Sequence, residues 1–249
     1  MTAVIINADD YGMSESCTKA IAECFRKGLV TDTTMLANGA YFDEAIKLAK
    51  LEGFDDKIGI HLNLTEGEPL TEDIKGCPGF VTDGRFNKSY DRALPLSGEE
   101  LDAVYKELTA QAVKIEKAGL SITHADSHHH IHTGFWIYPA AARVCREHGI
   151  KKVRMIRNLG GRRVSAADEE RYTEQLREYG LVSTGYFTYM SDIHGTDIPD
   201  NTEVLVHPDY DRHGGLIDRK GKENGMPFGE PITRIKDIKS VSLINYTEI

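Results

Sequence analysis

Short apolar runs rich in β-branched residues alternate along this chain with stretches whose apolar positions recur at helical spacing, the pattern of a mostly parallel sheet wrapped by helices. The first run, residues 3–8, predicts a strand. A glycine-containing turn then leads into a predicted helix over 15–27, with Ser14 as its N-cap and Gly28 stopping it just past Arg26 and Lys27. Further strands are predicted at 33–37, 57–64, 121–125, 151–156, 182–188, 203–206 and 241–244, and further helices at 42–51, 101–118 behind a Ser97 cap, 135–147 and 166–179. The regular alternation fits either an open doubly wound sheet or a closed barrel, and the number of units favours the barrel. A barrel gathers functional side chains from the C-terminal ends of many strands, whereas an open sheet uses few.

One segment breaks the rhythm. Residues from about 65 to 97 form a Gly/Pro-rich excursion too long for a tight connection, and Phe80, Phe86 and Tyr90 within it either cover a ligand or form the loop's own aromatic cluster. No linker, low-complexity tract or close repeat interrupts the rest, so a single domain over 1–249 is expected.

Composition narrows the class. With 40% apolar and 28% charged residues and no apolar run near the length of a membrane span, the chain reads as a soluble globular protein with no membrane partner. Its start has no basic region followed by a long apolar stretch, so a cytoplasmic location is expected. A net charge of −9 disfavours a nucleic-acid partner. Cys17, Cys24, Cys77 and Cys145 form no C-x-x-C pair and read as reduced, buried thiols.

Polar residues cluster where the predicted strands end. Asn7-Ala8-Asp9-Asp10-Tyr11-Gly12 carries adjacent carboxylates, which repel unless a cation, a shared proton or donors compensate; an Asx-turn leading to Ser14 is the other use of such a pair. His61 and Asn63 share one face of the strand and Ile60, Leu62 and Leu64 the other, and a lone histidine there is more often a structural residue than a ligand, so its meaning depends on partners. Directly after the strand at 121–125 come His124, Asp126, His128, His129, His130 and His132. While the backbone stays extended, His124, Asp126, His128, His130 and His132 lie on one side and His129 on the other. A metal takes two or three such side chains, leaving the others to orient ligands or touch substrate; a solvated histidine-rich loop would give the cluster no packing reason to exist. His207 ends the strand at 203–206. Arg154 sits within 151–156, where it either serves a site carboxylate or forms an ordinary salt bridge.

These motifs, together with Thr33-Thr34-Met35-Leu36-Ala37-Asn38-Gly39 and Val206-His207-Pro208, resemble in order and along nearly the whole chain the YdjC-like carbohydrate deacetylases. That family includes chitooligosaccharide deacetylases, which act on N-acetylglucosamine oligomers such as diacetylchitobiose. The resemblance implies a distorted (β/α) TIM-like barrel with seven or eight mostly parallel strands, related to polysaccharide deacetylases. It also implies one divalent cation held by Asp10, His61 and His128, with Asp9 as catalytic base and His207 as acid. Arg154 lies where related enzymes place an arginine beside the base. Asn63, Asp126, His130 and His132 then remain for substrate contact or ligand orientation.

Amide hydrolysis needs an activated water, a polarised carbonyl and a proton for the departing amine, roles that a cation, Asp9 and a protonated His207 would fill. The resemblance points to Mg²⁺, whereas mixed imidazole and carboxylate donors suit Zn²⁺, iron or cobalt. The expected partner is a small carbohydrate carrying an acetamide, and a homodimer is the default assembly. A metal-dependent phosphoesterase, another amidohydrolase, and a non-catalytic metal- or sugar-binding module use similar residues.

Overall fold

In the computed structural model, which describes residues 1–89, 94–161, 163–193, 198–222, 230–238 and 241–249, the first apolar run becomes the ten-residue strand β1 (Thr2–Tyr11), buried from Val4 onward. Strand and helix then alternate through α1 (Glu15–Arg26), β2 (Asp32–Met35), α2 (Phe42–Glu52) and β3 (Ile58–Leu62). The excursion that follows contains α3 (Glu72–Lys75) and a small hairpin of β4 (Val81–Thr82) and β5 (Arg85–Phe86). After it come α4 (Gly98–Lys117), β6 (Ala125–Ser127), α5 (Tyr138–Glu147), α6 (Ala166–Glu178), β7 (Tyr186–Tyr189) and β8 (Thr202–Val206). Three antiparallel strands, β9 (Pro208–Tyr210), β10 (Leu216–Asp218) and β11 (Glu230–Pro231), precede the last strand, β12 (Val241–Leu243).

The main sheet runs β6-β3-β2-β1-β8-β7, every pair parallel. Val4 pairs with Thr202 of β8 and also with Leu243 of β12, so β12 covers the start of β1 on the edge that β2 takes over from Asn7. Isolated parallel bridges, Ala125 to Val153 and Lys152 to Val182, carry the curl from β6 toward the segment ahead of β7. The result is a mostly parallel, curled α/β half-barrel, the distorted form of the barrel that the resemblance implies, with the C-terminal ends of β1, β3, β6 and β8 opening on one side.

Local chemistry explains the boundaries. Ser14 Oγ accepts from the Cys17 amide at 3.2 Å, and Ser97 and Glu100 close a reciprocal capping box at the start of α4. Gly53 ends α2 at φ 74°, a left-handed conformation that glycine adopts without steric cost. All four cysteines are free and buried. Among the described residues, no helix is long and apolar enough to cross a membrane.

The strand expected at 151–156 shortens to the two bridges. Past Val153 the chain leaves the ladder, and the Arg154 carbonyl accepts instead from the Tyr172 hydroxyl at 2.9 Å. The strand expected at 121–125 is shifted, with its ladder over Ala125–Ser127, although the Ile60 amide already donates to the His124 carbonyl at 2.9 Å. Phe80 and Phe86 are buried in the hydrophobic core, and Tyr90 lies outside the described residues. The antiparallel strands β9 to β11 have no counterpart among the predicted elements, although the turn residues Asp211, Gly214 and Gly215 between β9 and β10 are an ordinary hairpin signal.

Gly59 in β3 has a specific reason to lack a side chain: a Cβ there would stand 2.6 Å from both His124 Cε1 and the His124 carbonyl oxygen. Because one of those atoms is backbone, the contact cannot be relieved by a rotamer change. Gly59→Ala is expected to destabilise the fold by about 1–3 kcal/mol, measured as a lower urea midpoint at unchanged slope.

Candidate active site

Successive side chains of a regular strand face opposite ways, yet Asp9 and Asp10 both line one cavity of about 380 Å³. A bulge achieves this. Ala8 pairs with Thr33 and Tyr11 with Met35, so β1 carries one more residue than β2 across the same stretch, and Asp10 adopts φ 73°.

Asp10 meets two imidazoles. Its Oδ1 lies 3.2 Å from His61 Nε2 and 2.8 Å from His128 Nδ1, and the two nitrogens are 3.4 Å apart. The far nitrogen of each ring has its own carboxylate: His61 Nδ1 donates to Asp126 Oδ1 at 2.6 Å, and His128 Nε2 to Glu66 Oε2 at 2.9 Å. With an ion bound, those partners would keep the far nitrogens protonated and leave the near ones free to present lone pairs beside Asp10. Ligand bonds of about 2.0–2.2 Å to one ion imply donor separations of roughly 3.0–3.4 Å, close to this triangle. The donor set therefore fits one divalent cation, held by Asp10, His61 and His128. Without it, burial pushes the His61 imidazolium down, but Asp126, Asp9 and the bond to Asp10 outweigh burial and hold its pKa up at about 10. Burial would raise Asp10, and His128 and His61 instead hold it well below the carboxylate range. Its other oxygen, Oδ2, pairs with Arg219.

Asp9 belongs to a different set of contacts. Arg154, fully buried, clamps it in bidentate fashion, NH1 to Oδ2 at 2.8 Å and NH2 to Oδ1 at 2.7 Å. The same guanidinium meets Asp126 Oδ2 at 2.7 Å and Glu203 Oε1 at 2.7 Å. Burial opposes ionisation of Asp9, yet the arginine outweighs it and keeps the carboxyl far below its usual range. Asp126 moves the other way, raised because burial exceeds the help from Arg154 and His61.

His207, at the end of β8, lines the same cavity. Burial pushes its pKa down to about 4 although Asp10 and Asp9 pull it up. Among the described residues its Nδ1 has no hydrogen-bond partner, and it lies 3.9 Å from Asp218 Oδ1.

The extended register expected for the histidine run ends at Ser127. His128–Thr133 coils into a 3₁₀ turn in which His129 and His130 take φ 53° and 56°, so the alternation of faces is lost. His130 still borders the cavity and bonds the Tyr189 hydroxyl. His132 does not border it: its rings of contact are Ser127 Oγ and the Arg154 carbonyl behind the site. His124 reaches Asn7 Oδ1 at 3.1 Å. Asn63 shapes the loop, its amide nitrogen donating to the Glu66 carbonyl at 2.7 Å and to Asn38 Oδ1 at 2.9 Å. Glu66, Glu203 and Arg219 escaped the sequence reading. Thr-Glu-Gly directly after the His61 strand, and a glutamate inside the apolar run of β8, were the available signals for the first two.

The family described as YdjC-like protein matches residues 3–239. The chain belongs to the YdjC-like family. A carbohydrate deacetylase of Listeria welshimeri is 42% identical over 150 residues, 59% of this chain and 58% of the relative. One from Brevibacillus brevis is 38% identical over 149 residues, 59% of this chain and 57% of the relative. The match thus spans less than two thirds of these relatives' length. A crystal structure described as a candidate cellobiose-phosphate cleavage protein of Enterococcus faecalis superposes with a TM-score of 0.73 at 23% identity, covering 99% of this chain and 98% of that one, and it shares the fold.

Glu66→Gln and Asp126→Asn each remove the carboxylate that orients one imidazole, and each is expected to weaken Zn²⁺ binding about 10–100-fold by calorimetric titration. Acid sensitivity follows from buried neutral histidines. His207 is held at about 4 and His132 at about 3, with His124 and His130 also lowered, all by burial first. Between pH 6.5 and 4 the unfolded chain takes up protons there that the folded chain refuses, so stability present above pH 6.5 is lost as pH falls; urea midpoints should decline through that window.

Proposed function

We propose that this chain is a metal-dependent carbohydrate deacetylase that hydrolyses the acetamide of N-acetylated amino sugars or chitooligosaccharides. The observation that carries the reading is one cavity holding both a convergent Asp10, His61, His128 triangle and an ionised carboxylate, Asp9, clamped by Arg154. The relatives named carbohydrate deacetylases support the same chemistry. Two imidazoles beside one carboxylate favour Zn²⁺ or a similar transition ion over Mg²⁺, which prefers oxygen donors.

When bound, the cation supplies Lewis acidity toward the acetyl oxygen and the attacking water. The remaining work falls to the chain. Asp9 accepts the water's proton, and Arg154 together with the Asn7 amide, which donates to Asp9 Oδ1 at 2.9 Å, keeps that carboxylate ionised and oriented. His207 delivers a proton to the leaving nitrogen. It takes that proton from solvent as negative charge builds beside it in the buried cavity, and is left neutral once the amine departs, while Asp9 returns the water's proton to solvent.

A second cavity, of about 340 Å³, shares Met13 and Glu66 with the first and is lined by Asn38, Asn63, Glu68 and Arg85. It gives room for a neighbouring sugar unit, so an oligosaccharide is the better fitting substrate.

The test is acetate release from N-acetylglucosamine, its oligomers and their phosphorylated forms, with protein reconstituted in Zn²⁺ or Mg²⁺. Asp9→Asn and His207→Asn are each expected to lower turnover by about 10²–10⁴ while metal content by mass spectrometry stays at the parent value. Loss of metal in Asp9→Asn would make Asp9 a ligand instead. Phosphate release from model esters without acetate release from any amide would replace this function with a phosphoesterase.

A further inference from the structure

We infer that Tyr246 is a positioning residue for Asp9, acting on it along two separate routes from the turn that follows β12. Tyr246 is fully buried. Its hydroxyl donates to Glu203 Oε2 at 2.5 Å, Glu203 Oε1 accepts from Arg154 Nε at 2.8 Å, and Arg154 clamps Asp9. Its ring stacks on His124 with centroids 3.8 Å apart and planes 9° from parallel. The Thr123 hydroxyl occupies His124 Nδ1 at 2.8 Å, which leaves Nε2 to donate to Asn7 Oδ1 at 3.1 Å, and the Asn7 amide donates to Asp9 Oδ1.

The two routes meet on one carboxylate and share nothing between Tyr246 and Asp9. Tyr246 is itself anchored, its amide donating to Asp32 Oδ1 at 3.1 Å and its carbonyl accepting from Lys152 Nζ. It lies beyond residue 239, where the family match ends, so the surroundings of Asp9 are completed by a segment outside that match. A base must hold its geometry to within a fraction of an ångström, and a displacement of about 1 Å can lower the rate about 10²-fold. The inference rests on the reading of Asp9 as the base.

Tyr246→Phe keeps the stack and removes only the donor to Glu203. It is expected to lower kcat about 10-fold at unchanged KM and unchanged metal content, because the acetamide and the cation do not touch Tyr246. On the other route, His124→Gln retains an amide donor toward Asn7 and should keep most of kcat, whereas His124→Leu should lose about as much as Tyr246→Phe. Without any substrate, the Arg154 Nε–H resonance should exchange with solvent faster in Tyr246→Phe than in the parent. A purely structural role would lower the melting temperature and leave kcat per folded, metal-loaded molecule and the Arg154 exchange rate at parent values, and that result overturns the inference. If Asp9→Asn is inactive while Tyr246→Phe is not impaired, this inference alone fails. If Asp9→Asn retains full turnover, the base assignment falls and takes the inference with it.

Discussion

A guanidinium that reaches no solvent must find its counter-charges inside the barrel, and Arg154 finds Asp9 on β1, Asp126 on β6 and Glu203 on β8. Arg154 itself stands just past Val153, where the sheet is joined only by isolated bridges. The ion cluster therefore ties strands from different parts of the ring to its thinnest section. Desolvating such charges is costly, and removal of one partner typically costs about 3–5 kcal/mol, so the cluster constrains geometry more than it adds stability. What it secures is a carboxylate of known charge and orientation at the mouth of the barrel.

The cluster also explains how two neighbouring aspartates come to differ. Asp9 turns toward the arginine and Asp10 toward the imidazoles, and each is held ionised by different partners. Asp126 joins the two groups, with one oxygen on His61 and the other on Arg154. A shift of Asp126 is therefore felt by both the cation ligands and the base.

The parallel alternation, the caps at Ser14 and Ser97, and the placing of Asp10, His61, His128, His207 and Arg154 near strand ends were all readable from the chain, since each rests on local periodicity or on a residue type at a strand terminus. Two kinds of feature were not. His128–Thr133 leaves the extended form through left-handed residues that no pattern of apolar positions announces, which is why His132 lies behind the cavity. Glu66, Glu203 and Tyr246 act through partners 62, 49 and 43 residues away in the chain, respectively His128, Arg154 and Glu203, and such pairings exist only once the sheet has curled.

The extra residue in β1 has a consequence for how this barrel can change. Asp10 must satisfy a left-handed backbone and present a donor oxygen at once, and only aspartate and asparagine among the side chains with such an oxygen adopt that conformation readily. Glutamate would bring the oxygen but not the backbone, and glycine the backbone but not the oxygen. Positions 61 and 128 lie outside that restriction, so divergence toward a different ion or a different reaction has a path through the two imidazoles and almost none through residue 10.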